Sequence, residues 1–252
     1  MKTVLSEAKQ VYRIGDVVQR PAHPWSPTVG RLLQHFAGEN LPVERIISLD
    51  EQHECAEFFQ GEMVHPQKWT DDALFEIGQL IAKLHAAAPR FAQRDDDIWQ
   101  TWYLREIGRA DNRIICHGDL APWNLLTENG RPKLLVDWEF AGPLDPLVEL
   151  ARVCWLFAQL HDDDLQVIHD LPPLEKRAEQ VRIICDGYGL PAQARARLID
   201  QIIEVIICET AHEAIDPALT FDSTGSLWGF AWRTRSLYWI WRNQAVLRNA
   251  LI

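Results

Sequence analysis

The sequence predicts an α+β fold in two lobes, a small β-rich lobe over residues 1–62 and a larger, mainly helical lobe over residues 63–252. Three observations carry that reading. Short β-rich runs fill the first sixty residues, and apolar residues recur at helical spacing from Thr70 onward. The helical pattern is interrupted once, over Ile114–Trp138, by short β-rich runs on either side of a turn.

Met1–Leu5 supplies a first strand, and Val11–Ile14 and Val17–Arg20 are joined by Gly15-Asp16, a two-residue hairpin signal. Pro21, Pro24 and Pro27 end the third strand, and Ser26 or Thr28 then caps a helix through Phe36, with Val29, Leu32, Leu33 and Phe36 on one face. Two further strands are expected near Glu44–Leu49 and Glu54–Phe59. Gly61 and Met63–Lys68 read as a linker. Thr70-Asp71-Asp72 then starts a helix with Leu74, Ile77, Leu80, Ile81 and Leu84 on its apolar face. In the interruption, Glu128-Asn129-Gly130 is the turn of a hairpin. Helical patterns follow over 145–160, 174–188, 192–215 and 226–251.

With 252 residues, 47% of them hydrophobic, the chain can bury one large core or two small ones, which excludes a disordered or disulfide-scaffold protein. A formal charge of −11 without a Lys/Arg cluster argues against a nucleic-acid partner. Cys55, Cys116, Cys154, Cys185 and Cys208 are odd in number and show neither a CxxC pair nor a metal-ligand spacing, so they read as buried thiols of a reducing compartment. The N-terminus becomes charged before an apolar run develops, and Leu198–Cys208 is broken by Asp200, Gln201 and Glu204. No export signal or membrane span is expected, and the expected location is the cytoplasm.

The chemistry concentrates in His117-Gly118-Asp119-Leu120-Ala121-Pro122-Trp123-Asn124 and Val136-Asp137-Trp138-Glu139. Pairing the apolar runs around the Asn129-Gly130 turn sets Asn124 beside Asp137 at the open end of the hairpin. An amide oxygen next to a carboxylate is the hard-oxygen donor set that magnesium accepts while keeping waters for substrate phosphates. Asp119, five residues before Asn124 in a Gly/Pro-bounded loop, can reach the same spot as a base that takes the proton of an attacking hydroxyl.

The H-x-D-x-x-x-x-N run of His117–Asn124, followed by an aspartate at the end of the next strand, resembles the catalytic loop and metal aspartate of the aminoglycoside phosphotransferase/choline kinase family, distant relatives of protein kinases. The likeness extends to Ile77–Ala87 before the loop and to Asp137–Pro143, Asp145-Pro146 and Glu149-Leu150-Ala151 after it. It implies a bilobal protein-kinase-like fold and a small-molecule kinase. Such an enzyme transfers the γ-phosphoryl group of ATP or GTP, with Mg²⁺, to a hydroxyl of a small metabolite or antibiotic, with or without an amine. It further implies Asp119 as base, His117 in a supporting role organising the loop, Asn124 and Asp137 as metal ligands, and Asp145 and Glu149 as braces of the metal loop. His85 reads as a packing residue.

The expected nucleotide lobe is reduced. The loop after the first strand, Ser6-Glu7-Ala8-Lys9, has no glycine, leaving Ser6 as its phosphate-binding candidate. Arg20 stands where the family usually has the strand lysine, and the following helix carries no acid to orient it, with Gly30 near the expected glutamate position. Phe58, Phe59 and Gln60 resemble the inter-lobe hinge whose backbone meets the base of the nucleotide. Acceptor recognition is expected from the C-terminal helices. Its candidates are acids at Asp162–Asp164, Glu204, Glu209, Glu213 and Asp216, and an aromatic stripe of Trp228, Trp232 and Trp239 with Arg235. The reduced lobe also raises an alternative, a nucleotide-impaired kinase-like protein that keeps a ligand pocket.

Overall fold

The computed structural model describes residues 2–167, 169–215 and 227–252; Asp216 and Ser226 of the expectations above lie outside them. An antiparallel five-stranded sheet of order β1-β2-β3-β5-β4 is formed by β1 (Lys2–Ser6), β2 (Val11–Ile14), β3 (Val17–Pro21), β4 (Ile46–Leu49) and β5 (His53–Glu57). Pairing of β3 with β5 sets Arg20 directly opposite Glu54, so opposite charges meet across the ladder. Helix α1 (Ser26–Gly38) buries Val29, Leu32, Leu33 and Phe36. Its start differs from expectation. Trp25 is the cap residue and makes no side-chain cap, Pro27 sits in the first turn, Ser26 Oγ accepts from His23 N, and Thr28 Oγ1 accepts from Ile98 N.

Helix α2 (Asp71–Ala87) begins as its sequence dictates, because Thr70 Oγ1 accepts from Ala73 N and Asp71 and Asp72 lie in the positive first turn. Its buried face lies against α4 (Leu174–Tyr188). At Gly78 a Cβ would come within 2.3 Å of Ile184 O, so glycine permits the close approach of the two helices.

Strand β6 (Ile114–Cys116) leads into the His117–Asn124 loop and pairs with β9 (Gly142–Leu144), which follows the Asp137 segment. Strands β7 (Leu125–Glu128) and β8 (Arg131–Leu135) form the expected hairpin, with Asn129 and Gly130 both at positive φ in the turn. Isolated bridges Glu62↔Thr127 and Val43↔Leu135 strap the linker and the segment after α1 to this hairpin. Helices α3 (Pro146–Phe157), α5 (Ala192–Ile215) and α6 (Trp228–Asn249) complete the helical part. All five cysteines are free; Cys116, Cys154 and Cys185 are buried, whereas Cys55 and Cys208 are only half-buried, contrary to expectation. Among the described residues, no helix is long and apolar enough to cross a membrane.

Candidate active site

A cleft of about 900 Å³ opens between the sheet and the β7–β8 hairpin, and Ser6, Lys9, Arg20, Phe58, Asn124 and Asp137 are among its walls. The hairpin register places Asn124 and Asp137 just beyond the paired ends, where Val136 N donates to Asn124 O. Asn124 Nδ2 donates to both Asp119 O (2.8 Å) and Asp119 Oδ2 (3.0 Å), which leaves the amide oxygen as the atom it could offer a metal. Asp137 has φ +66°, a strained conformation for a non-glycine residue, and its N–H is held by Glu44 Oε2 (3.2 Å).

The catalytic-loop backbone is fixed from several sides. His117 Nε2 donates to Val136 O (3.0 Å), so its Nδ1 accepts the Asp119 N–H (3.2 Å), and the ring packs on Trp138. Gly118 has φ +83°, and a Cβ there would lie 2.2 Å from Phe140 O; no other residue fits between His117 and Asp119 without displacing the chain. Gly118 N donates to the buried Glu149 Oε1 (2.6 Å), whose other oxygen is 2.8 Å from His85 Nε2. Burial opposes the charge of Glu149, but the bonds and charges of His85, with His117 and Gly118, hold its carboxyl below the usual range. Glu149 therefore braces the catalytic loop rather than the metal loop. Asp145 does neither: Oδ1 caps α3 by accepting from Leu147 N, and Oδ2 accepts from Arg109 N. His85, expected only to pack, bridges Glu149 and Tyr188 and lies with Cys116 and Glu149 in a buried group whose ligand atoms are all within 4.8 Å of one another.

Asp119 is held at both oxygens. Opposite the Asn124 contact, Oδ1 pairs with Arg152 at 2.8 Å. Arg152 is buried and also bonds Glu209 Oε2 (3.1 Å) and Leu120 O (3.0 Å). Burial disfavours its charge, but Glu209 and Asp119 more than compensate and hold it firmly protonated. A carboxylate offers about four lone-pair sites, so each Asp119 oxygen keeps room for an incoming hydroxyl. A charged residue inside the otherwise apolar run Leu150–Phe157 must find a partner, and that was the available signal for Arg152.

On the sheet side the structure adds two features to the expectations. Arg20 does have acidic partners, though not from α1. It pairs with Glu44 (3.0 Å), from the segment after that helix, and with Glu54 (2.5 Å), from β5. Burial opposes its charge, and Glu44 and Glu54 raise its pKa nonetheless. A second cation is also present. Lys9 Nζ lies 2.9 Å from Asp137 Oδ2 and 2.6 Å from Glu139 Oε1. Partial burial works against the Lys9 ammonium, but bonds to Glu139 and Asp137 push its pKa above the usual lysine range. Ser6 Oγ accepts from Lys9 N and shapes this turn. At the hinge, Phe58 N donates to Asp16 O (2.8 Å), so that amide is already taken, and Arg13 stacks on the Phe58 ring. Phe59 lines the cleft, whereas Gln60 is not among its walls.

The expected acidic acceptor surface is largely neutralised. Glu209 is buried among Arg152, Arg233 and Tyr103, Glu213 meets Arg233, and Asp162–Asp164 meet Arg235, Arg177 and Arg242. The aromatic stripe is split. Trp239 is buried under Arg177, while Trp232 stacks on Trp155 and Trp228 is half-exposed.

Residues 91–199 match the Phosphotransferase enzyme family. The trifolitoxin immunity protein of Rhizobium leguminosarum bv. trifolii is 37% identical over 247 residues, spanning 96% of this chain and 94% of that protein. A choline/ethanolamine kinase family protein from Mesorhizobium loti superposes with a TM-score of 0.56 at 18% identity, over 96% of this chain and 89% of that one. A thermostable mutant of aminoglycoside phosphotransferase APH(4)-Ia, in a ternary complex with AMP-PNP and hygromycin B, superposes with a TM-score of 0.53 at 15% identity, over 98% and 92% of the two chains. The fold is the bilobal protein-kinase-like fold that these structures share.

Proposed function

Because the chain belongs to the phosphotransferase enzyme family, whose enzymes phosphorylate hydroxyl groups of small molecules, we propose that it uses ATP to phosphorylate a small hydroxylated acceptor, with Asp119 as base. The observation that carries this reading is the junction at Asn124. Its amide nitrogen fixes Asp119 while its residue, with Asp137, lines the cleft on which the sheet's two cations converge.

The donor set suits Mg²⁺. Asn124 offers an amide oxygen, Asp137 a carboxylate, and Glu139 a second carboxylate joined to Asp137 through Lys9. Bound there, the ion would neutralise charge on the nucleotide phosphates. Asp119 receives the acceptor's proton, with Arg152 and Asn124 keeping its carboxylate in position. His117 holds the loop through Val136. Phe59 and Gly61, which line the cleft, supply the backbone left to meet the base of the nucleotide. The 37% identical relative is named an immunity protein, so small toxins join metabolites and antibiotics in the acceptor screen.

The deciding experiment is calorimetric titration of ATP and GTP with and without Mg²⁺, followed by that screen. Asp137→Ala is expected to abolish Mg²⁺-dependent ATP binding in a folded protein; unchanged affinity removes Asp137 from the metal site. A second reading, a ligand-binding protein without nucleotide chemistry, is favoured by one observation: both sheet cations are already bound to carboxylates. Absence of ATP and GTP binding at millimolar concentration overturns the kinase reading and makes that rival the first choice.

A further inference from the structure

Behind Trp123 lies a second cavity of about 210 Å³, walled by Trp123, Trp228 and Trp232 and by His65, His161 and His169, with leucines completing the lining. The rings form one continuous surface. His65 packs edge-on to Trp123 (5.5 Å) and against His169 (5.2 Å), His169 packs on His161 (5.5 Å), and His161 packs on Trp232 (5.4 Å). Nδ1 of the buried His161 and Nδ1 of His169 have no hydrogen-bond partner. Both nitrogens are buried within the walls, so what the cavity offers an occupant is the surfaces of the rings.

Size and charge narrow the class of that ligand. A cavity of ~150 Å³ holds a benzene ring, while whole drug-sized ligands need roughly 300–1,000 Å³, so this one takes one or two fused rings. Among the described residues, no carboxylate, ammonium or guanidinium lines it. A charged group would enter without a counter-ion, whereas flat aromatic walls favour a stacked neutral ring. The cavity shares Trp123 with the nucleotide cleft, and Trp123 lies in the loop between Asp119 and Asn124.

We propose that this cavity is the acceptor's specificity pocket and takes an uncharged, planar aromatic group. The assignment of the pocket to the acceptor rests on the kinase reading above, but its occupancy is measurable without nucleotide. The probes are indole, tryptamine and indole-3-acetate, one ring system in three charge states. They are titrated into the full chain with its histidine side chains isotope-labelled for NMR.

Indole is expected to shift the ring signals of His161 and His169 and to bind at least about tenfold more tightly than either charged derivative. Leu165→Trp, which fills the cavity, is expected to abolish the shifts. Trp228→Ala removes a half-exposed wall at the start of α6, so it tests the site even if the filling variant does not fold; a loss of about tenfold is expected. Tryptamine or indole-3-acetate binding as tightly as indole overturns the ligand class. Unmoved His161 and His169 signals at saturating indole overturn the site. Because ATP is absent from this titration, its failure leaves the kinase reading intact, and failure of ATP binding leaves the indole result standing.

Discussion

Two regions face each other across the main cleft and are built on different principles. The His117–Asp137 segment is local: its loop and hairpin bring Asp119, Asn124 and Asp137 together within one short stretch, and His117, Gly118, Asp119 and Asn124 are held by neighbours in that stretch or in α3. The sheet side is assembled from a distance. Lys9, on the loop after β1, meets Asp137 and Glu139, and Arg20 on β3 meets Glu44 and Glu54. The first region presents carboxylates already fixed in place, among them the proposed base Asp119. The second presents cations that must exchange carboxylates for phosphates before they serve a nucleotide. On the proposed kinase reading, the catalytic geometry is preformed, whereas phosphate binding involves a competition.

Asp119→Asn probes the preformed side most directly. Turnover is expected to fall by ~10²–10⁴-fold, the usual contribution of a general base, with ATP affinity little changed. A variant that keeps full turnover in a phosphoryl-transfer assay means the proton leaves by another route.

Arg20→Ala tests the competing side. Loss of a charge-assisted phosphate contact would weaken ATP binding by about 1.5–3 kcal/mol. The same change strands Glu44 and Glu54, so urea unfolding should show a stability loss of up to about 3–5 kcal/mol. Stability loss without any change in ATP affinity would reassign Arg20 to the fold alone. Arg20→Lys is expected to recover only part of each effect, because an ammonium cannot match both carboxylates in a fork.

Lys9→Met should give a smaller and opposite signature. The pair is half-exposed, worth roughly 0.2–1 kcal/mol, so Mn²⁺ affinity of the nucleotide-free protein should rise by a few-fold at most. Weaker Mn²⁺ binding would show that Lys9 positions Asp137 rather than competing at it.

The mildest expectation concerns acidity. Burial pushes the His161 imidazole well below its usual value, with His169, Arg177 and His65 adding to the effect, and burial likewise lowers His65 and His169. The unfolded chain therefore takes up protons near the ordinary value of 6.5, before the folded one does. This contribution is fully present above 6.5 and declines as the pH falls below it. Thermal melts should show Tm dropping over that window, less steeply in His161→Leu. An unchanged slope in that variant would place the acid sensitivity elsewhere.

What was legible in the sequence follows the same division. The hairpin, its turn and the placement of Asn124 near Asp137 were readable because they depend on spacing along a short stretch. So were α2 and its cap. Glu44 as the partner of Arg20 was not readable, because it comes from the segment between α1 and β4 and meets the cation only through sheet order. Lys9 is visible in its loop but has meaning only once that loop folds over Asp137. The second cavity joins residues from the linker, the catalytic loop, the segment after α3 and α6, a combination that no periodicity announces.

Glu44 spans the two regions. One carboxylate receives the guanidinium of Arg20 from the sheet and the N–H of the strained Asp137 from the hairpin. Exchange of parts between relatives should respect that link. A chimera cut at residue 62 moves Arg20 and Glu44 together but separates both from their own Asp137 backbone. Such hybrids are expected to fold as pieces and lose their joint geometry, so the transplantable module of this protein includes the hairpin along with the sheet.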